Sequence, residues 1–91
     1  MRTENTLTVI VKSRKKSLFD GQAVSVSSFN DTGPFDVLPY HANFITLINK
    51  HITIIKTEGK ENIDIERGVL KVTEDQVEAY VEPVVKKQSS K

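Results

Sequence analysis

Much of the chain alternates apolar and polar residues with a period of two. Leu7, Val9 and Val11 alternate with Thr8, Ile10 and Lys12. Val24 and Val26 alternate with Ser25 and Ser27, and Ile52 and Ile54 with Thr53 and Ile55. Ile63 and Ile65 flank Asp64, Leu70 and Val72 flank Lys71, and Val77, Ala79 and Val81 alternate with Glu78 and Tyr80. Successive side chains of a strand point to opposite faces, so each stretch presents one apolar and one wetter face. The same stretches are rich in Val, Ile and Thr, whose branched side chains suit a pleated surface. No window keeps apolar residues at three-and-four spacing over three turns, so no amphipathic helix is expected.

Turn chemistry punctuates these stretches at short intervals. Asp20-Gly21, Asp31-Thr32-Gly33-Pro34, Leu38-Pro39, Glu58-Gly59-Lys60, Arg67-Gly68 and Glu74-Asp75 are the breakers. The pattern predicts an all-β, two-sheet antiparallel β-sandwich of about eight to ten short strands. A chain of 91 residues is one domain, expected over 7–83, with tails at 1–6 and 84–91. Pro83 removes a ladder donor and is expected to end the last strand. The strand Phe44–Ile48 is apolar on both faces. One face can fill the core, and the other needs cover from the second sheet or from another protein.

Several function classes are excluded. There is no cysteine, so disulfides, cysteine-ligated zinc and thiol catalysis are absent, and a reducing cytosolic setting is expected. Thirteen basic and 12 acidic residues give no global pull toward nucleic acid or anionic lipid. Met1–Thr6 lacks the long apolar stretch of a secretory signal, and no apolar run approaches the roughly 20 residues of a membrane helix. Membrane association is therefore expected only through a partner. His41 and His51 are the only histidines, too few for a zinc site, so no metal and no cofactor is expected. Glu58, Glu61, Asp64 and Glu66 fall on wet faces or in turns. No phosphate loop, nucleophile elbow or zincin helix is present, so no catalytic residue is assigned. Lys12, Arg14, Lys15 and Lys16 form a basic run without an interleaved aromatic. It reads as a solvated hairpin turn that discourages edge aggregation.

The stretch from Gly33 to Leu47, GPFDVLPYHANFITL, resembles the signature of the ATP synthase epsilon subunit family. There a Gly-x-aromatic or Gly-x-Leu start leads through a Leu-Pro or Tyr-Pro step to Gly-His-Ala-Pro and a leucine-rich strand ending in Thr. Leu18 to Val26 resembles the family's Phe-x-Gly-x-Val/Ala-x-x-Val strand pair. Ile65 to Val72 resembles its Ile-Ser-Gly-Gly-Phe/Ile-Leu-Glu-Val hairpin, and Val77 to Val81 its next strand. Tyr40, Asn43 and Glu66-Arg67 stand where the family usually has glycine, proline and Ser-Gly. The resemblance covers about residues 7 to 82. It matches the family's N-terminal β-sandwich, in a short form without the C-terminal helical hairpin that inhibits hydrolysis and, in some members, binds ATP.

The resemblance implies a non-catalytic rotor-stalk subunit of a proton-translocating F-type ATP synthase, coupling the gamma stalk to the c ring. It implies a peripheral position on the cytoplasmic face of the cell membrane, held by the complex. It assigns Asp31, Thr32 and Phe35, in a polar loop spanning 30–36, to the c-ring interface. It assigns Tyr40, His41, Asn43 and Thr46 to the gamma interface, with Pro39 making a rigid corner that holds Tyr40 and His41. Read without the resemblance, the same residues also fit a free-standing β-sandwich module for a peptide or small ligand. A nucleic-acid-binding barrel would need aromatics beside the basic run, and none is there.

Overall fold

The structure is a computed structural model of the chain, and it describes residues 6–40 and 43–84. Seven strands follow one another: β1 (Leu7–Lys12), β2 (Ser17–Ala23), β3 (Ser25–Asn30), β4 (Gly33–Val37), β5 (Phe44–Lys56), β6 (Gly59–Thr73) and β7 (Gln76–Pro83). No helix occurs among the described residues. Hydrogen bonding joins all seven in the order β2-β1-β7-β6-β5-β3-β4. Every pairing is antiparallel except β1 with β7, which is parallel.

One continuous sheet becomes a two-layer sandwich because its two longest strands kink together. Between Ile48↔Gly68 and Lys50↔Ile65, β5 advances two residues while β6 advances three. Opposite β7, between Ile65↔Pro83 and Arg67↔Glu82, β6 advances two residues while β7 advances one. Both neighbours therefore meet one extra residue in β6 beside Glu66 and Arg67, which is a bulge. A bulge bends its strand and raises the local twist. Lys50 sits at the same level with a φ of 73°. Beyond the kink, β5 and β6 carry β3 and β4 as the second layer, while their other halves stay with β7, β1 and β2.

The bulge also changes which residues face inward. Before it, Ile65 is buried; after it, Leu70 and Val72 are. Sequence parity flips across Glu66-Arg67 so that both halves of β6 keep an apolar side on the core. The first layer contributes the inward rows Val9–Val77–Val72–Phe44 and Val11–Ala79–Leu70–Thr46. The second contributes Val37–Val26–Ile54, with Ile52 beside it. Burying each such Val, Ile or Leu is worth about 1.5–3 kcal/mol over leaving it in water.

The expected all-β sandwich is found, with seven strands. The sequence counts more because two of its breakers do not break strands. Arg67-Gly68 is part of the β6 bulge. Asp20-Gly21 lies inside β2, paired with Ile10 and Val9. Gly21 there packs beside the Phe19 ring, whose nearest carbon would lie 3.4 Å from an added Cβ, an ordinary van der Waals contact. The expected loop 30–36 is a tight hairpin, because Asn30 pairs with Gly33 and only Asp31 and Thr32 stay outside the strands. The last strand does end at Pro83.

Candidate interaction surface

The two outer faces of the sandwich differ in chemistry. On the second layer, Asp36, Ser27, Thr53 and Asn62 form one row across β4, β3, β5 and β6. The row bonds to itself. The Ser27 hydroxyl donates to Asp36, the Thr53 hydroxyl donates to Asn62 Oδ1, and Asn62 Nδ2 donates to Asp64 at 3.2 Å. His51 meets this row through Nδ1, 3.2 Å from Thr53 Oγ1, and stacks edge-on against Phe29 with ring centroids 5.0 Å apart. A polar ladder satisfied in this way needs no partner.

The first layer presents the opposite case. Leu47, Val69 and Tyr80 lie in register across the three adjacent strands β5, β6 and β7. They are 67%, 40% and 56% exposed, and Ile45, one pleat along β5, is 66% exposed. An uncovered row of large apolar side chains on the middle of a sheet commonly marks an interface. The strands β6, β7 and β1 have neighbours on both sides, so over them a partner must pack by side chains, whereas the Phe44–Ile48 part of β5 pairs with β6 alone. An open groove of about 590 Å³ follows the row, rimmed by Lys12, Arg14, Arg67 and Glu82.

The residues singled out in the sequence fall into two groups. Asp31 and Thr32 form the exposed turn between β3 and β4. Asn30 fixes it: Oδ1 accepts from the Thr32 backbone N–H at 2.9 Å and from its hydroxyl at 2.8 Å. Asn30 Nδ2 in turn donates to Thr46 Oγ1 at 3.2 Å. Thr46, expected at the gamma interface, instead lies half-buried on the inward row with Leu70 and, through Asn30, supports the Asp31–Thr32 turn. Phe35 is also half-buried, edge-on to Phe44 at 6.2 Å.

Tyr40 and Asn43 form the second group, around the turn between β6 and β7. The Tyr40 N–H donates to Asp75 Oδ1 at 3.0 Å, and the Glu74 N–H donates to Asn43 Oδ1 at 2.7 Å. Tyr40 is 71% exposed with a φ of 67°. This left-handed conformation explains why glycine suits the position in the family pattern. His41 lies outside the described residues. Sequence reasoning missed Val69 and Tyr80. The signal was present, since both occupy the wet parity of their strands, but only the register shows that they adjoin Leu47.

Among the described residues, no group of three or more His, Asp or Glu is placed to hold a metal ion. A second groove, about 650 Å³, runs between edge strand β2 and the turn joining β5 to β6, past Phe19, Asp20, Lys56 and Glu58. Lys56 is engaged by Glu61 at 3.0 Å, and Glu58 lies in the turn with its pKa lowered by the Thr57 hydroxyl. No helix among the described residues is long and apolar enough to cross a membrane.

The profile of the ATP synthase Delta/Epsilon chain, beta-sandwich domain, matches residues 6–87. The chain belongs to this family. The epsilon chain of the ATP synthase of Sulfurimonas denitrificans is 36% identical over 70 residues, which is 75% of this chain and 54% of that protein. That of Nitratiruptor sp. is 32% identical over 83 residues, 89% and 64% respectively. The chain thus spans between about half and two thirds of these relatives. Among solved structures, a chain of the Euglena gracilis mitochondrial ATP synthase, in an OSCP/F1/c-ring assembly, superposes with a TM-score of 0.81. Its identity is 12%, covering 93% of this chain and 56% of that one. A chain of the Tetrahymena thermophila mitochondrial ATP synthase central stalk and c-ring gives 0.73 at 7% identity, covering 98% and 72%. At such identities the superpositions establish the sandwich fold.

Proposed function

We propose that this domain is a non-catalytic clamp in the rotor stalk of a proton-translocating F-type ATP synthase, joining the gamma subunit to the c ring. The observation that carries the reading is the contrast between the faces. One is a self-satisfied polar ladder, and the other leaves Leu47, Val69 and Tyr80 uncovered in a single row. Gamma docks on that row, with Tyr40 and Asn43 at its border. Asp31 and Thr32 project toward the polar loops of the ring, held by Asn30, Thr46 and Phe35. The domain sits at the cytoplasmic face of the membrane, attached through the complex. Its task is mechanical: a sheet whose long strands run through both layers resists bending where torque crosses from ring to stalk. Catalysis belongs to other subunits.

Gel filtration with purified gamma tests this. The wild-type chain is expected to comigrate with gamma at micromolar concentration. Leu47→Asp plus Val69→Asp is expected to abolish comigration while circular dichroism stays that of the wild type. Asp31→Lys is expected to keep gamma but lose the detergent-solubilised ring. Failure of the wild type to bind gamma would overturn the reading.

A further inference from the structure

The apolar row does not stop at Tyr80. Lys12 is the register partner of Tyr80 on β1, so the row reads Leu47–Val69–Tyr80–Lys12 across four strands. Arg14 lines the same groove from the adjoining turn. That turn is held in one shape by Ser13. Its Oγ accepts from the backbone N–H groups of Lys15 and Lys16, each at 3.2 Å, and its own N–H donates to the Lys16 carbonyl at 2.8 Å. Arg67, across the groove, is engaged by Glu82 at 3.6 Å. Among the described residues, neither Lys12 nor Arg14 has a carboxylate partner. Lys15 and Lys16 add two more exposed cations beside them.

We infer that the groove selects a protein segment presenting an apolar strip closed at one end by carboxylates, which pair with Lys12 and Arg14. The inference rests on the reading that this face docks gamma, and it names the chemistry of the docking element. Strands lie about 4.8 Å apart, so Leu47 to Tyr80 spans roughly 10 Å and Lys12 lies one strand further. The apolar row sets affinity, and the cations set direction: a segment docked in reverse would place its carboxylates over Leu47 and leave both cations unpaired. Uncompensated surface charge also steers encounter and raises the association rate at low salt. A protein fits better than an anionic membrane. The row is flanked by the register pairs Lys71–Glu78 and Arg67–Glu82, which cancel in charge and leave no continuous cationic field for an anionic surface.

The test measures association of the full chain with purified gamma from the same source across a salt series. Lys12→Glu plus Arg14→Glu is expected to raise Kd about tenfold or more and to remove most of the salt dependence of the on-rate. Both residues are exposed, so the fold is kept. Leu47→Asp is the control for the face itself. If wild type binds gamma, Leu47→Asp does not, and the charge-reversed chain keeps the wild-type rate and salt slope, the inference falls while the docking reading stands. If wild type does not bind gamma, both fall. Vesicles of phosphatidylcholine and phosphatidylserine at three to one supply the last arm. Sedimentation with them that charge reversal abolishes, with gamma affinity unchanged, would overturn the inference in favour of a membrane contact.

Discussion

Gly68 packs directly beneath Tyr80: a Cβ on Gly68 would stand 2.7 Å from the Tyr80 carbonyl oxygen and 2.8 Å from a methyl of Val81. The closest neighbour is backbone, which cannot swing aside. Gly68 follows the bulge of β6 and precedes Val69, so the close approach fixes where the strand settles against β7 after its kink. It also fixes the spacing of Val69 and Tyr80, two members of the uncovered apolar row. Gly68→Ala is therefore expected to destabilise the domain by about 1–3 kcal/mol, as overpacking does. The urea midpoint should fall with an unchanged m-value. A wild-type midpoint would show that the strands separate freely.

Ser28 is buried, and its hydroxyl donates to the His51 carbonyl at 2.8 Å. This bond ties β3 to β5 where their register shifts, between Ser27↔Thr53 and Phe29↔Asn49. The ladder is broken there, so the side chain replaces a backbone donor. Ser28→Ala should cost about 1 kcal/mol, since it removes the donor and leaves a carbonyl short of one. Equilibrium denaturation of the two chains measures it.

Glu74 holds a φ of 56° in the two-residue turn between β6 and β7. A left-handed residue with a side chain carries about 1–2 kcal/mol of strain. Glycine removes it, against roughly 0.4–1 kcal/mol for a freer unfolded chain. The backbone N–H that Asn43 accepts from is retained. Glu74→Gly is thus expected to raise the melting temperature by a few degrees, and a fall would show that the Glu74 side chain matters to the turn.

Glu58 has its pKa lowered, first by the hydrogen bond from the Thr57 hydroxyl and then by backbone bonding. A depressed folded-state pKa means that the ionised carboxylate favours the folded turn. That contribution is present above the unfolded pKa and is lost as pH falls through the lowered value. Glu58 is fully exposed, so the effect on global stability is small. The site-specific reading is sharper: Thr57→Val should move the Glu58 carboxyl titration, followed by carbon NMR, upward toward the usual carboxylate range. An unmoved titration would assign the shift to the backbone.

The alternation of apolar residues in β1, β3 and β7 determined an all-β chain by itself, because a half-buried strand leaves that pattern locally. Asp31-Thr32, Glu58-Gly59 and Glu74-Asp75 likewise announced their turns, since positive φ and side-chain-to-backbone bonds are properties of a few adjacent residues. The motif from Gly33 to Leu47 determined the family. The two kinks were not legible. A breaker such as Arg67-Gly68 specifies that the ladder changes, and only the strands on either side decide whether the chain turns back or bulges and continues. The interaction surface was half legible for the same reason. Phe44–Ile48 showed two apolar faces, but Thr46 and Leu47 could exchange roles until the register put Thr46 in line with Leu70 and Leu47 in line with Val69. Composition assigns residues to faces; tertiary register decides which faces meet, because it alone brings Leu47, Val69, Tyr80 and Lys12, on four separate strands, into one row.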